Sequence, residues 1–337
     1  MATIKEVADY AGVSVATVSR VINKTGYVSL DLQERVVEAM KTLHYRPSAL
    51  ARGLRRQETQ TVGVLIPQLD QPFFSALAYA IEQTLFASDY RALICSAEES
   101  QSKEVAYVEM LLRQRVDGVI LVPTSHSTDS VQRLLEQNVP MVLVDRDIPE
   151  LNINRVLSDN QQGGYEGATH LIELGHERIG VIHTPLSSEA MAQRVRGVRE
   201  ALAESGIAHD GKLFIVGANH QFEAGYTAAM ELLRQNPRPT AIFALTDVMA
   251  MGAMRAAAEL GLSLPDDLSV MGFDGTPLSE YSIPALTTVA QPTYQMGETA
   301  ATLMLRQMQE EDASVESVML ETTLIVRHST APPNGKA

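Results

Sequence analysis

Tryptophan is absent from this chain of 337 residues, and cysteine occurs once. A single thiol, Cys95, excludes an intrachain disulfide and suits a reducing compartment. It sits in the apolar run Ala92-Leu-Ile-Cys95, which predicts a buried, inert thiol rather than a nucleophile. No apolar run approaches the ~20 residues that span a bilayer, and the N-terminus carries no apolar signal region. The expectation is a cytoplasmic protein with no membrane partner. The turn after Ile66 reads Pro-Gln-Leu-Asp-Gln-Pro and lacks the glycines that let a backbone approach a dinucleotide pyrophosphate. The glycines of Gln161-Gln-Gly-Gly-Tyr165 and Gly252 stand alone on helical stretches. Eight histidines show no metal-ligand spacing, and His176 in Gly175-His-Glu-Arg178 reads as a structural loop residue. No catalytic set, cofactor or metal site is expected, so the chain is not read as an enzyme.

What is present is uneven charge. Hydrophobic residues make up 45% and charged residues 20%, as in a soluble globular protein long enough for two or three domains. The formal charge of -14 argues against nucleic acid until it is divided along the chain. Residues 1–60 hold nine Lys/Arg against six Asp/Glu, a net +3, so the remainder carries -17. A basic head on an acidic body can meet phosphates at one end while the body repels them.

The head has the pattern of two short helices joined at a glycine. Ile4, Val7, Ala8 and Ala11 lie at helical spacing, and Thr3 and Glu6 stand three apart as a capping box requires. Gly12 stops this helix and permits a tight reversal. Ser14 can cap the next, which runs through Val18 to about Asn23. A plain αα-hairpin and a helix-turn-helix both fit. The order Ala8, Gly12, Val18 favours the second, with a small residue for close crossing, a turn, and a valine packing back. Ser29 opens a third helix whose apolar face is Leu32, Val36, Val37, Ala39, Met40 and Leu43, ended by Pro47. Ser48-Ala-Leu-Ala-Arg-Gly-Leu54 is too short to hold a helix alone in water and expects outside support.

From Thr61 onward, short apolar runs alternate with helical patterns. The first series is Val62–Ile66, Ala92–Cys95, Gly118–Val122 and Met141–Val144; the second is Ile179–Ile182, Leu213–Val216, Ala241–Ala244 and Leu268–Met271. Continuous apolar strands between helices mark parallel sheets covered on both faces. Two similar α/β lobes follow, breaking near Ser158. The late segments Leu286–Pro292 and Met319–Val326 fit neither series cleanly, and the chain is expected to cross between lobes there.

The blocks Ile4-Lys-Glu-Val-Ala8, Val13-Ser-Val-Ala-Thr-Val-Ser-Arg-Val-Ile-Asn23 and Tyr45-Arg-Pro-Ser-Ala-Leu-Ala-Arg-Gly-Leu54 resemble the lac-repressor (LacI/GalR) family of bacterial transcription regulators. Arg115-Val-Asp-Gly-Val-Ile120, Gly175-His-Glu-Arg-Ile-Gly180, Val270-Met-Gly-Phe-Asp274 and Pro284-Ala-Leu-Thr-Thr288 extend the resemblance over nearly the whole chain, in the family's order. It implies an all-α helix-turn-helix head plus hinge helix, joined to an α/β two-lobed core like the periplasmic binding proteins, with two doubly wound parallel sheets. The expected divisions are a 1–46 DNA-binding head and a 47–60 hinge helix and linker. An N-terminal lobe of 61–157 plus 292–318, a C-terminal lobe of 158–291 plus 319–330, and a disordered tail of 331–337 complete them.

Carried residue by residue, the resemblance sets base reading on Val15, Ala16 and Arg20. Arg20 is the strongest of the three, since a guanidinium can bond a guanine bidentately. Ser14, Thr17, Ser19 and Asn23 would bond phosphates and set register, although capping chemistry explains Ser14 equally well. Leu54 matches the hinge leucine that wedges into the minor groove with its twin. In the cleft between lobes the matching positions are Phe73, Phe74, Asp145, Arg194, His220, Thr246, Asp274 and Gln291. His220 stands where members often carry Trp or Phe, and Thr246 where sugar binders often carry Asn or Asp. The implied function is a ligand-responsive repressor binding a palindromic operator as a homodimer and a sugar or sugar derivative in the cleft. A nucleobase or small organic acid is the alternative effector. A sugar-uptake binding protein lacks an export signal here, and a nucleotide-dependent α/β enzyme lacks its phosphate loop.

Overall fold

The computed structural model describes residues 2–23, 25–45, 59–125, 127–186, 188–208, 210–310 and 314–334. They form two compact units, Met1–Gln60 and Thr61–Ala337. Leu54 and all but the last two positions of the expected hinge and linker lie outside the described residues.

The first unit holds α1 (Ile4–Ala11), α2 (Val15–Asn23) and α3 (Leu30–Thr42) around Val7, Ala8, Ala11, Val18, Val36 and Ala39. The Thr3 hydroxyl accepts from the Glu6 amide and the Glu6 carboxylate accepts from the Thr3 amide, closing the capping box. Gly12 ends α1 at φ 64°, a backbone conformation that costs a side-chain-bearing residue about 1 kcal/mol or more. A Cβ there would also stand 2.8 Å from the Arg35 guanidinium, which donates to the Ala11 carbonyl at 2.6 Å and ties α3 to the turn. Ser14 caps α2 by accepting from the Thr17 amide at 3.1 Å. Ser29 precedes α3 but makes no side-chain cap bond. The expected apolar face of α3 included Val37, which is exposed instead. Neighbouring helical positions lie about 100° apart, so Val36 and Val37 cannot both face inward.

Among the described residues of the second unit, twelve strands divide evenly between two sheets. The first contains β1 (Thr61–Ile66), β2 (Arg91–Ser96), β3 (Gly118–Leu121), β4 (Met141–Val144), β5 (Asn154–Ser158) and β11 (Ser317–Leu320), ordered β11-β5-β4-β3-β1-β2 and parallel throughout. The second contains β6 (Ile179–His183), β7 (Phe214–Val216), β8 (Ala241–Ala244), β9 (Ser269–Asp274), β10 (Thr287–Ala290) and β12 (Thr323–Ile325), ordered β12-β10-β9-β8-β6-β7. Only the β10–β12 pair is antiparallel. Each sheet reverses strand order once, between β1 and β3 and between β6 and β8. In such sheets ligands collect beyond the carboxyl ends of the strands at that reversal.

Helices α4 (Pro72–Ala87), α5 (Gln101–Gln114) and α6 (Asp129–Glu136) serve the first sheet; α7 (Asn160–Glu173), α8 (Glu189–Glu204), α9 (Phe222–Leu233), α10 (Asp247–Glu259) and α11 (Pro277–Tyr281) serve the second. Helix α12 (Thr293–Gln309) returns to the first sheet, burying Met296, Ala300, Ala301, Leu303 and Met304 against α4 and β3 to β5. The chain therefore crosses between lobes after Ser158, after Gln291 and at Glu321-Thr322. Met319–Val326, expected as one late segment of the second lobe, is two strands: Met319 and Leu320 continue β11 beside β5, and Thr323 begins β12 beside β10. Strand β5 has no counterpart among the expected strands, because Asn-Arg-Val-Leu-Ser is no apolar run. Leu213 closes a short 3-10 turn before β7.

The expected disordered tail is held as far as Asn334. The Ser329 carbonyl accepts from the Val270 amide and the Ser329 hydroxyl donates to the Val270 carbonyl, the Ala331 amide and carbonyl both meet the Ser269 hydroxyl, and the Asn334 side chain donates to the Asp266 carbonyl. His176 is buried beneath this segment, against Thr240, Ser269 and the Ala331 carbonyl, and burial lowers its pKa. It is a structural residue, as its loop position suggested.

Candidate ligand cleft and nucleic-acid interface

Strand ends from both lobes converge on one cavity of about 40 Å3. Phe73 and Phe74 enter from the first turn of α4, their rings edge to face with centroids 5.2 Å apart. Asp145 follows β4 with φ 66° and Asp274 ends β9 with φ 109°, so two carboxylates are carried on left-handed backbone at matching points of the two lobes. Arg194 comes from α8, Thr246 caps α10, and His220 follows β7. Seven of the eight positions expected to contact effector thus line the same space. Gln291, the eighth, sits behind Asp274 and donates to its Oδ1 at 3.0 Å. The thiol of Cys95 lies elsewhere, buried in the first lobe, and burial raises its pKa.

Arg194 is held rigidly. Its Nε donates to Asn160 Oδ1 at 2.7 Å, and its Nη1 donates to the Leu245 carbonyl at 2.7 Å and to Asp274 Oδ1 at 3.0 Å. The guanidinium also stacks 3.8 Å from the Phe273 ring centroid. Gly197 sets the pose of α8: a Cβ there would lie 1.9 Å from the Gln161 carbonyl, so α7 and α8 touch through backbone one turn from Arg194. Burial pushes Asp274 up to about 6 even beside Arg194 and Gln291. Behind it, Asp247 accepts from the Thr276 amide and hydroxyl and from the Thr288 hydroxyl, and burial plus the Asp274 charge brings it to about 7.

Three features of the cleft escaped the sequence. Arg146 donates to both Glu99 carboxylate oxygens, at 2.7 and 2.8 Å, and to the Pro123 carbonyl. Burial disfavours the Glu99 charge, but Arg146 and His220 outweigh it and hold this carboxyl below its ordinary range. Gln71, Ser188, Ala190 and Met191 complete the lining. The Asn219–Gln221 segment bridges the lobes: His220 Nε2 lies 3.9 Å from Glu99 Oε1, and Gln221 donates to Asp70 at 3.2 Å. Burial and then Arg146 bring His220 down to about 4, leaving a neutral ring at neutral pH. An adjacent Asp-Arg pair was the one available hint of Arg146. Nothing in the pattern around Glu99 pointed to it.

Aromatic faces, carboxylates and guanidinium groups meet in this cleft, a set of groups whose chemistry suits a small polar ring. Asp145 Oδ1 and Gln291 Oε1 are buried with no hydrogen-bond partner among the described residues. Burial, against the pull of Arg146 and Arg194, raises Asp145 above its ordinary value.

On the head, Ala16 and Arg20 are exposed on α2, one turn apart. Val15 is half-buried and packs on the head's own core. Ser14 and Thr17 bond each other at 2.9 Å, and Asn23 donates to the Ser19 carbonyl at 2.8 Å and hydroxyl at 3.2 Å. These four polar residues therefore already serve the helix itself. Tyr27 in the following loop is 92% exposed and was not anticipated. Among the described residues no group of three or more His, Cys, Asp or Glu could hold a metal, and no helix is long and apolar enough to cross a membrane.

Known proteins resemble this chain from end to end. The profile of bacterial regulatory proteins of the lacI family matches residues 3–48, and that of a periplasmic binding protein-like domain matches 168–330. The HTH-type transcriptional repressor PurR of Erwinia tasmaniensis is 40% identical over 334 residues, covering 98% of this chain and 97% of that protein. The ribose operon repressor of Halalkalibacterium halodurans is 38% identical, covering 98% and 97%. The lac repressor dimer bound to operator and the anti-inducer ONPF superposes with a TM-score of 0.87 at 31% identity, covering 98% of this chain and 99% of that one.

Proposed function

The chain belongs to the lacI family of bacterial regulatory proteins, and from that premise we propose a homodimeric repressor whose two heads hold a palindromic operator and whose cleft takes a sugar or sugar derivative. It is a DNA-binding transcriptional regulator with a ligand-binding core, as its relatives are. One observation carries the finer reading: seven side chains from six separate elements line one cavity, charged groups beside aromatic rings. In it, Asp145 and Asp274 would accept sugar hydroxyls, Arg194 would donate, and Phe73, Phe74 and His220 would cover the ring. A ligand that prefers one lobe arrangement shifts the population of lobe states and with it the competence of the paired heads. The reading puts the protein in the cytoplasm with its operator.

In the head, Arg20 would read a guanine while Val15 and Ala16 meet apolar base edges. Ser14, Thr17, Ser19 and Asn23 would set register on phosphates, and Leu54 would wedge the operator centre. The division into a 1–46 head, a 47–60 hinge and two core lobes belongs to the same proposal, with Ser317–Leu320 assigned to the first lobe. A nucleobase is the second reading, favoured by the edge-to-face phenylalanines and by likeness to purine-named repressors. An organic acid has less support, because Arg194 is already engaged by Asp274.

Selection of bound duplexes from a randomised DNA pool tests the reading. The full chain should enrich a palindrome, and a chain beginning at Thr61 should enrich nothing. Enrichment by the shortened chain, or none by the full one, would sink it.

A further inference from the structure

The polar balance of the cleft is one-sided. Asp145 Oδ1, the one atom of its lining that is buried without a partner among the described residues, is an acceptor, and so is Gln291 Oε1 behind Asp274. The Gln291 amide cannot be turned to relieve this, since its Nε2 is already the donor to the Asp274 carboxylate. A ligand must therefore bring donors.

The cations, by contrast, are already engaged. Arg194 donates through Nε to Asn160 and through Nη1 to Leu245 and Asp274, and its charge is set against the Asp274 carboxylate. Arg146 is the cation of the first-lobe wall, and Glu99 meets it with both carboxylate oxygens while Pro123 takes a further bond. Glu99 is placed there by the turn after β2, where Glu98 and Glu99 both have φ near 50° and the Glu99 amide bonds the Pro67 carbonyl. With Asp145 ionised, Asp145, Glu99 and Asp274 outnumber Arg146 and Arg194 by one negative charge. With Asp145 protonated the count is zero. In neither state does a spare cation among the described residues line the cavity, and His220 is neutral.

We propose that Glu99 is a specificity-determining residue that occupies Arg146 and so makes the cleft refuse anions: the effector is an uncharged molecule rich in hydrogen-bond donors, and its phosphorylated or carboxylated counterpart is excluded. This rests on reading the cleft as the effector site. An incoming phosphate would have to displace Glu99 from Arg146 inside a buried space, stranding one anion beside another. A hydroxyl or ring N–H meets Asp145 Oδ1 at no such cost.

Calorimetric titration of the full chain with matched pairs tests it: ribose and ribose 5-phosphate, glucose and glucose 6-phosphate, adenosine and adenosine monophosphate, uracil and orotate. At least one neutral member should bind, and its anionic counterpart should bind at least tenfold more weakly. Glu99→Gln keeps the shape, removes the charge and should narrow that gap fivefold or more; Glu99 is partly exposed, so a melting temperature near the parent's is expected. Asp145→Asn should weaken the neutral ligand at least tenfold. An anion bound as tightly as its neutral partner, a gap unchanged by Glu99→Gln, or no binding by any neutral member would overturn the proposal. His220→Ala separates the two levels. Binding untouched by it sinks the cleft reading itself, whereas an anion whose binding it weakens sinks only the selectivity.

Discussion

The two lobes bring the same part to the cleft and treat it differently. Each ends a central strand in an aspartate on left-handed backbone, Asp145 in the first and Asp274 in the second. Asp274 meets Arg194 and Gln291, and Arg194 is anchored again to Asn160 and Leu245. Asp145 has one oxygen without a partner among the described residues, and its neighbour Arg146 turns to Glu99. One lobe is set before any ligand arrives, and the other keeps its bonding capacity open. The difference separates scaffold from selector within a pseudo-symmetric fold.

Arg194→Ala should show the largest effect. The raised value of Asp274 means that burial outweighs the attraction of Arg194, so the pair is no net gain over a well-packed apolar pair. Removing one partner is another matter, because it strands a buried carboxylate and leaves Asn160 Oδ1 without its donor. A loss on the order of 3–5 kcal/mol is expected in urea unfolding. A loss below about 1 kcal/mol, at the level of an exposed ion pair, would mean the second lobe is not preset.

The second effect is a pH dependence centred on the same lobe. Asp247 stands at about 7 and Asp274 at about 6, both raised first by burial. Their folded values lie above the ordinary 3.8, so between about pH 4 and 7 the native chain holds protons that the unfolded chain has released. Their contribution to stability is present at the acid end of that window and is lost as pH rises through 6 and 7. His220 works the other way. At about 4 against 6.5 it disfavours the folded state as pH falls through that interval. Asp247→Asn should therefore flatten the decline between pH 5 and 7.5 by on the order of 2 kcal/mol, read from urea unfolding at each pH. An unchanged slope would remove Asp247 from the account.

Legibility follows the same division. Apolar runs announced eight of the twelve strands found among the described residues, and the family resemblance pointed to Arg194. Arg194 enters the cavity, whereas Arg196 pairs with Glu189 at the surface. Strand β5 was invisible because it is short and polar, and the β11–β12 break because two lobes share one short stretch. Glu99 and Arg35 were invisible for a different reason. Each acts on an element far away in sequence, Glu99 on Arg146 and Arg35 on the α1 turn, and no local periodicity encodes such a meeting. Strand-end residues are legible because topology puts them at the cleft. Residues that tune those strand ends are not.

Asp145→Asn should have the smallest effect on the unliganded protein, and it is the sharpest test of the contrast. Asp145 Oδ1 has no partner among the described residues, and its other oxygen lies 3.8 Å from Arg146, so deleting the charge removes a burial cost and little bonding. The expected change is under about 1 kcal/mol, toward greater stability, because an unsatisfied buried charge is itself destabilising. Asp274→Asn, isosteric and equally buried, removes the counter-charge of Arg194 and should cost about 2 kcal/mol or more. Paired urea titrations of the two variants read the difference directly. Equal costs would mean that Asp145 already has a structural task, and that the first lobe, like the second, has its aspartate engaged before ligand arrives.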